Sequence, residues 1–178
     1  MPDATLDAMA ARTDSFDLGG LHLASGQGRR LDLEAALEPF VLSGERYCAP
    51  PVAVTLDVAR MSGRGYSLRL RFEASVEGPC MRCLDAAQPL VAVDAREVEQ
   101  PGRGEELDSP YVSEASLLDL RRWARDALVL ALPDQVVCRP QCAGLCPVCG
   151  ASLNSDPTHA HEREPDPRWE KLRELRLD

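Results

Sequence analysis

The chain has 178 residues and a net charge of −9, with 44% hydrophobic but only 4% aromatic residues. This length predicts one domain with appendages, or one medium and one very small domain. The acidic charge argues against broad, non-specific nucleic-acid binding, which needs a basic surface. No apolar run approaches the roughly 18 residues of a membrane span, and we see no secretory signal at the N-terminus. We therefore expect a cytoplasmic protein, in which reduced cysteines favour metal over disulfides.

The N-terminal part of the chain has weak patterns. Residues 1–13 are predicted to form a flexible tail. The segment from Phe16 to Leu23 alternates loosely and is interpreted as an edge strand, in which the single His22 has a structural role. Residues Leu31 to Val41 predict a short helix that ends near Pro39.

The middle of the chain carries the clearest strand pattern. Apolar and polar side chains alternate from Val52 to Val58 and again from Tyr66 to Val76, which indicates one buried and one solvent-facing side. The Gly-containing link between these runs predicts an antiparallel hairpin. A third run extends from Leu90 to Val98. The segment Cys80-Met-Arg-Cys83 should therefore lie at a strand-to-strand turn.

A loop and a helix follow these strands. Residues 99–110 are acidic and rich in Gly and Pro, and are predicted to be flexible. Residues 116–119 fit a capping box, and an apolar stripe then predicts a helix that stops at Pro133. The stripe consists of Leu117, Leu120, Ala124, Ala127, Leu128 and Ala131. We expect this helix to cover the apolar face of the sheet, with Trp123 at the edge of the stripe.

Potential metal ligands are concentrated near the C-terminus. Four of the seven cysteines and two of the three histidines lie between Cys138 and His161. Thiolates and imidazoles at such short spacings suit a tetrahedral Zn²⁺. Two cysteines three residues apart can hold one ion from a tight turn, and Gly150 allows the positive φ that such a turn needs. The candidate ligands are Cys80, Cys83, Cys138, Cys142, Cys146, Cys149, His159 and His161.

These eight candidates divide into two sets of four. The preferred partition joins Cys80 and Cys83 with Cys138 and Cys142, in a Cys₄ site that pins the hairpin turn to the end of the helix. The remaining four form a Cys₂His₂ site, since residues two apart in an extended segment share one face. The main alternative is a single Cys₄ site made by the four C-terminal cysteines. Two zinc ions are therefore preferred and one is possible. Cys48 has no partner in the sequence and is interpreted as a small core residue.

Together the patterns predict an α+β fold. An antiparallel β-sheet or partial barrel is covered by one main helix and followed by a C-terminal zinc-binding lobe. The expected boundaries are 14–137 for the main domain and 138–178 for the lobe, which ends in a second helix. Asp166 can cap that helix with Pro167 at its first position.

Several of these segments carry a resemblance. The matching motifs, in order and spacing, are Cys80-Met-Arg-Cys83-Leu84, Ala131-Leu132-Pro133, Cys138-x₃-Cys142, Gly144-Leu145-Cys146-Pro-x-Cys149-Gly150, Leu153-Asn154 and Asp166-Pro167-Arg168. Over about residues 50–170 the chain resembles the YceD family, whose members are also called large ribosomal RNA subunit accumulation proteins. Many relatives carry Cys-x-Cys where this chain has His159 and His161, an exchange that a retained zinc site permits. The resemblance implies a bacterial (or plastid) cytosolic protein that supports accumulation or processing of large-subunit rRNA, with no established enzymatic activity.

The expected function is a non-enzymatic ribosome-biogenesis factor with structural zinc. Sites closed by four protein ligands leave no open position for water activation, and the chain has no phosphate-binding loop or hydrolase motif. The expected partner is a large-subunit rRNA precursor or a basic ribosomal protein, with no DNA, membrane or small-molecule substrate. Candidate phosphate contacts, for which a solvated face is the simpler interpretation, are Arg69, Arg71, Arg121, Arg122 and Arg125.

Two other classes of function stay open. A zinc- or dithiol-dependent enzyme could use Cys80-Met-Arg-Cys83 as a redox pair, although the pair does not follow a βαβ pattern. A zinc-containing transcription regulator is the second alternative. The acidic charge and the lack of a basic recognition helix count against it.

Overall fold

A computed structural model describes residues 14–104 and 107–161 of the chain. The elements in chain order are β1 (Ser15–Asp17), a 3-10 turn (Gly19–Leu21), β2 (Gly28–Ala35), β3 (Phe40–Leu42), β4 (Glu45–Tyr47), β5 (Val52–Arg60), β6 (Tyr66–Ser75), β7 (Gly78–Pro79), β8 (Ala86–Ala87), β9 (Leu90–Glu99), β10 (Leu117–Asp119) and α1 (Leu120–Ala131). Strands β2, β5, β6 and β9 form an antiparallel sheet in that order, and β1–β10, β3–β4 and β7–β8 form two-stranded sheets. The fold is thus α+β, with antiparallel sheets and one helix in the described part of the chain.

The alternating pattern on β5 and β6 decides which side of the sheet is buried. Leu56 pairs with Leu70 and Val58 with Leu68, and all four side chains are at most 1% exposed. Their polar neighbours, such as Asp57, lie on the opposite face because successive side chains of a strand alternate. The predicted hairpin is confirmed.

Helix α1 packs into the same core as the sheet. Its buried side chains are Leu120, Trp123, Ala124, Ala127 and Leu128. Helix formation begins three residues later than the predicted capping box, because Leu118 is fully buried and pairs with Phe16 of β1. Asp119 is instead the N-cap, and its carboxylate accepts a hydrogen bond from the Arg122 amide at 3.0 Å, as N-cap residues do.

Two other predictions about this helix were wrong. Trp123 is not at the edge of the stripe, since it is 1% exposed and stacks on Tyr111 with ring centroids 6.2 Å apart. Leu117, which the stripe included, is 45% exposed and belongs to β10. The predicted end is confirmed, because the helix stops at Ala131, just before Pro133.

The N-terminal region also differs from the predictions. The helix predicted from Leu31 to Val41 is wrong: Gly28–Ala35 is strand β2, with Leu31, Leu33 and Ala35 on its inner side. The period-two alternation of these three residues prevails over the weak helical pattern, because β5 offers a full antiparallel partner. The predicted edge strand is shorter than expected, and His22 lies after the 3-10 turn at a φ of 49°.

Some predictions fall outside the described residues or are not decided. The N-terminal tail 1–13 and the helix from Asp166 lie outside the described part of the chain, as do residues 105 and 106 of the acidic loop. Loop flexibility and the domain boundaries stay predictions. The loop is nevertheless anchored at its ends, since the Glu99 carboxylate accepts a hydrogen bond from the Ser109 amide at 2.6 Å. No helix within the described ranges is long and apolar enough to cross a membrane.

Candidate metal centres

Two Cys-x-x-Cys turns in the chain share one backbone design. In the first turn, the Cys80 amide donates to the Asp85 carbonyl at 2.7 Å and the Leu84 amide donates to the Cys80 carbonyl at 2.9 Å. In the second turn, the Cys146 amide donates to Ala151 and the Gly150 amide to Cys146, both at 2.8 Å. The equivalent spacing of these bonds folds each pair of cysteines onto one side of a tight loop.

The first candidate centre consists of Cys80, Cys83, Cys138 and Cys142, whose sulfur atoms all lie within 4.8 Å of one another. Cys80 Sγ is 3.8 Å from Cys142 Sγ, and Cys83 Sγ is 3.6 Å from Cys138 Sγ. A tetrahedral ion with Zn–S bonds of about 2.3 Å has its sulfurs about 3.8 Å apart. None of the described cysteines forms a disulfide. The four sulfurs therefore fit a tetrahedral metal ion.

The hairpin β7–β8 holds the first turn against the sheet. Gly78 packs beneath the ring of Tyr47, where an added Cβ would lie 2.2 Å from a ring carbon. The Tyr47 hydroxyl, which belongs to a 1% exposed side chain, donates to the Pro79 carbonyl at 2.9 Å. Cys48 does not join either cluster of candidate ligands; its backbone pairs with Glu77 beside this hairpin. Strand β4 thus packs against the β7–β8 hairpin that carries the first turn.

Two polar side chains hold the segment that follows the helix: Arg82 from the first turn and Asn154 from the loop of the second centre. Arg82 Nη1 donates to the Cys142 carbonyl at 3.1 Å, and its Nε donates to Gln135 Oε1 at 2.9 Å. Asn154 Nδ2 donates to Cys142 Sγ at 3.4 Å, and its Oδ1 accepts from the Ala143 amide at 2.9 Å. Hydrogen bonds of this kind orient metal ligands and tune their affinity.

The second candidate centre consists of Cys146, Cys149, His159 and His161, again with the donor atoms within 4.8 Å of one another. Cys149 Sγ is 3.1 Å from His159 Nε2 and 3.2 Å from His161 Nε2, and the two nitrogens are 2.9 Å apart. Cys149 and His161 are exposed, whereas three of the four residues in the first centre are buried. Two thiols and two imidazoles converge on one point near the surface.

The thiols of both centres include some that ionise easily. Burial opposes ionisation of Cys80, but backbone N–H groups, first that of Arg82, lower its pKa to about 6. The backbone N–H groups of Cys149 and Val148 lower the pKa of Cys146 to about 6. The Asn154 side chain is the main cause that lowers the pKa of Cys142, while burial raises the pKa of Cys83 and Cys138. Metal binding needs thiolates, so each centre has at least one thiol that loses its proton readily.

The structure brings together the eight predicted ligands in the preferred partition of two sets of four. It does not gather the four C-terminal cysteines into a single cluster within the described ranges, which was the main alternative. The identity of the metal stays a prediction. Sequence reasoning did not assign roles to Arg82 and Asn154. Nothing in the cysteine spacing indicates that Arg82 reaches Cys142. The Leu153-Asn154 motif belongs to the family resemblance, but the sequence does not show that Asn154 contacts a ligand.

Comparison with known proteins places the chain in a family. The model of the large ribosomal RNA subunit accumulation protein YceD matches residues 68–176, a range that contains both candidate centres. The chain belongs to the YceD family. No solved structure matches the chain.

Curated relatives of this YceD family member occur in mycobacteria. A protein of Mycobacterium tuberculosis and one of Mycobacterium bovis, both described as uncharacterized, are 39% identical over 107 residues, which are 57% of this chain and 51% of each relative. An uncharacterized protein of Mycobacterium leprae is 32% identical over 108 residues, 54% of this chain and 46% of the relative. The chain thus spans about half the length of the curated relatives it matches.

Proposed function

We propose that this chain is a non-enzymatic ribosome-biogenesis factor that supports accumulation or processing of large-subunit (23S) rRNA. The observation that carries the proposal is membership of the YceD family, whose description names accumulation of large-subunit ribosomal RNA. The two clusters of four donors provide the supporting chemistry.

Zinc is the proposed ion for both centres. Four thiolates, or two thiolates with two imidazoles, are the ligand sets of structural zinc sites. When bound, zinc supplies a cross-link between segments and no exchangeable position, because all four donors come from the protein. The first centre would join the β7–β8 hairpin to the segment after α1. The second would close the loop between Cys146 and His161.

The arrangement of sulfurs supports metal binding over dithiol chemistry. Cys80 and Cys83 lie 3.8 and 3.6 Å from Cys142 and Cys138, and all four sulfurs are within 4.8 Å of one another. An isolated redox dithiol has no need of two further cysteines at this distance.

The proposed partner is a large-subunit rRNA precursor or a basic ribosomal protein in the cytoplasm, without DNA, membrane or small-molecule substrate. Of the arginines considered above, those of the helix are engaged locally. Arg121 pairs with Glu38 at 3.1 Å, and Arg122 donates to the Pro110 carbonyl at 3.3 Å. Arg69 and Arg71 of the sheet are ion-paired as well, with Asp94 and Asp57. We propose the sheet face for contact because Arg30 and Arg96 lie beside them on the same face.

Depletion of the protein in its own cells tests the proposed function. We expect the ratio of large-subunit to small-subunit rRNA to fall on depletion and to recover when the wild-type chain is supplied. A ratio that is unchanged after depletion would refute the role. Zinc content is measured separately on the purified chain under reducing conditions, where we expect two ions; no zinc would refute the metal assignment.

A further inference from the structure

We propose that the outer face of the sheet, at the end where β2 begins, binds the phosphate backbone of RNA without reading its sequence. This inference rests on the proposed function and names the chemistry of the contact. The candidate surface, called here the arginine shelf, consists of Gly28, Arg30, Ala59, Ser67, Arg69 and Arg96.

A row of charged residues crosses all four strands at the shelf. Arg30 pairs with Asp57 on β5, Asp57 pairs with Arg69 on β6, and Arg69 pairs with Arg96 on β9. Neighbouring strands are about 4.8 Å apart, so this row extends for roughly 15 Å. It holds three guanidinium groups and one carboxylate. Arg69 lies directly opposite Arg96, a position in which like charges are destabilising, and Asp94 offsets the charge of Arg69.

The carboxylates beside the row fix the guanidinium groups without neutralising all of them. Asp57 accepts from both Arg30 and Arg71 at 2.7 Å, so one negative charge serves two positive ones. Asp94 accepts two hydrogen bonds from Arg69, at 2.7 and 2.5 Å. Within the described ranges Arg96 has no ion pair, and the Arg71 Nε donor is buried without an acceptor. Asp32 lies beside Arg30 in the next register row, where it accepts from the Thr55 hydroxyl. The two rows thus hold four arginines and three aspartates, which leaves an excess of one positive charge.

Short side chains beside the row allow close approach. Gly28 pairs with Ala59, and Ala59 with Ser67, so little stands above the backbone there. A shallow groove of about 350 Å³ runs between these residues and the guanidinium groups of Arg30 and Arg69. Such a groove leaves a small ligand largely exposed, but it suits a polymer that lies across the sheet.

The opposite end of the same face is acidic. Glu34 and Glu73 lie two register rows beyond Arg30 and Arg69, opposite Ala53 and Ala92. A polyanion would be attracted to the shelf and repelled from this end, which explains how a chain of net charge −9 could bind RNA at one place only. No aromatic side chain lies among the shelf residues, so bases have no stacking platform and the contact is to phosphates.

The experiment measures binding by fluorescence anisotropy of a labelled single-stranded RNA of about 20 nucleotides, longer than the roughly 4–16 nucleotides that common single-strand binding domains cover. The full-length, zinc-loaded chain is compared with Ser67→Glu and with Ser75→Glu. Both substitutions add one negative charge to the same face of β6, at the shelf and at the far end. We expect Ser67→Glu to weaken binding about tenfold, and Ser75→Glu to change it less than about twofold.

A second pair of variants guards against altered folding. Arg96→Gln removes a guanidinium without an ion pair, and should lower the slope of log affinity against log salt by about 0.7. Arg46→Gln removes an exposed arginine of β4, away from the shelf, and should leave the slope unchanged. Thermal unfolding of each variant verifies that the fold is retained.

Three results would overturn the inference: no binding by the wild type, equal binding by Ser67→Glu and Ser75→Glu, or displacement of the labelled RNA by polyglutamate at a lower concentration of charge than unlabelled RNA requires. The last would assign the shelf to an acidic protein. The rRNA ratio on depletion is measured independently of these results. If it falls as expected, the proposed function stands even when the shelf does not bind RNA.

Discussion

The turns around Cys80 and Cys146 make the same backbone hydrogen bonds but lie in different settings. The first turn is part of the buried core, and its ligands come from positions 55 and 62 residues apart. The second turn lies at the surface, and its cysteine and histidine ligands are only 10 and 12 residues apart. The free-energy cost of closing a loop grows with its length, so the metal link of the first centre constrains the unfolded chain by about 1.5 kcal/mol more than that of the second. The same local design is therefore expected to stabilise the whole fold at one place and a single loop at the other.

The surroundings of the two turns extend this difference. In the first, Tyr47 donates to the Pro79 carbonyl beside Cys80, and Arg82 and Asn154 both donate to Cys142. The second contains the exposed Val148, which is 61% accessible, and an exposed Gly150. A metal in the first centre should be retained more firmly than one in the second.

The largest expected effect comes from removing one ligand of each centre. Structural zinc contributes on the order of 10 kcal/mol in small modules that fold only with metal. We expect Cys83→Ser to destabilise the sheet by several kcal/mol, since it breaks the link between the hairpin and the helix segment. His161→Ala should mainly loosen the C-terminal loop.

Urea unfolding, followed by circular dichroism of the sheet, together with elemental analysis, measures both effects. The wild type should hold two zinc ions and each variant one. Unfolding of the sheet by His161→Ala but not by Cys83→Ser would show that the ligands are assigned to the wrong roles. A wild type that holds a single ion would contradict the two-centre arrangement.

The next effect concerns the link between the two regions. Asn154 lies in the loop of the second centre yet donates to Cys142 of the first. Loss of an outer hydrogen bond to a metal ligand usually reduces affinity by about 10–100-fold, and we expect Asn154→Ala to do so at the first centre.

Ser155→Ala is the matched control, because Ser155 is exposed and its only described hydrogen bond is from its backbone. Competition with a chelator indicator measures the affinity of each variant. Equal zinc affinity in the two variants would show that Asn154 does not position Cys142.

Much of this comparison could be predicted from the sequence, because cysteine spacing and strand alternation are local signals. The pairing of β5 with β6 follows from alternating Val, Leu and Phe side chains, and the short cysteine spacings indicate the candidate ligands. Their partition into two sets was the preferred interpretation beside a single C-terminal site, because the first set joins cysteines 55 and 62 residues apart. The strand β2 could not be recognised in the same way, since its pattern is short and its partner β5 is distant in sequence. The inward position of Trp123 likewise depends on the packing of Tyr111, which no spacing reveals.

The supporting residues of the site are harder to predict for the same reason. Arg82 reaches Cys142 across 60 residues, and its neighbours in sequence give no hint of that contact. Gly144 belongs to the Gly144-Leu145-Cys146 motif, but the reason for a glycine there is the close approach of its backbone to the Arg82 carbonyl. Long-range contacts of this kind are set by the fold and not by local pattern.

A smaller effect separates two glycines with similar backbones. Gly144 and Gly150 have φ of 79° and 74°, a region that costs other residues about 1–2 kcal/mol. A Cβ on Gly144 would lie 3.1 Å from the Arg82 carbonyl oxygen, whereas one on Gly150 would meet nothing within 4 Å. Gly144→Ala should therefore destabilise the first centre by about 1–2 kcal/mol, and Gly150→Ala should leave urea unfolding of the sheet unchanged. Equal shifts in sheet stability would contradict the separation of the two regions.

The smallest effect tests the position of positive φ after the second cysteine, where one turn has leucine and the other glycine. Leu84 is the residue of the first turn that corresponds to Gly150. It has a φ of 64°, and its side chain is 64% exposed. Leu84→Gly relieves strain of about 1 kcal/mol, but the added freedom of the unfolded chain offsets roughly 0.4–1 kcal/mol. We expect a change in unfolding free energy of less than about 0.5 kcal/mol, while Leu84→Val, with a β-branched side chain at positive φ, should destabilise more. A loss above about 1 kcal/mol for Leu84→Gly would mean that the leucine side chain stabilises the first turn, and that the two turns are not equivalent even in their backbone requirements.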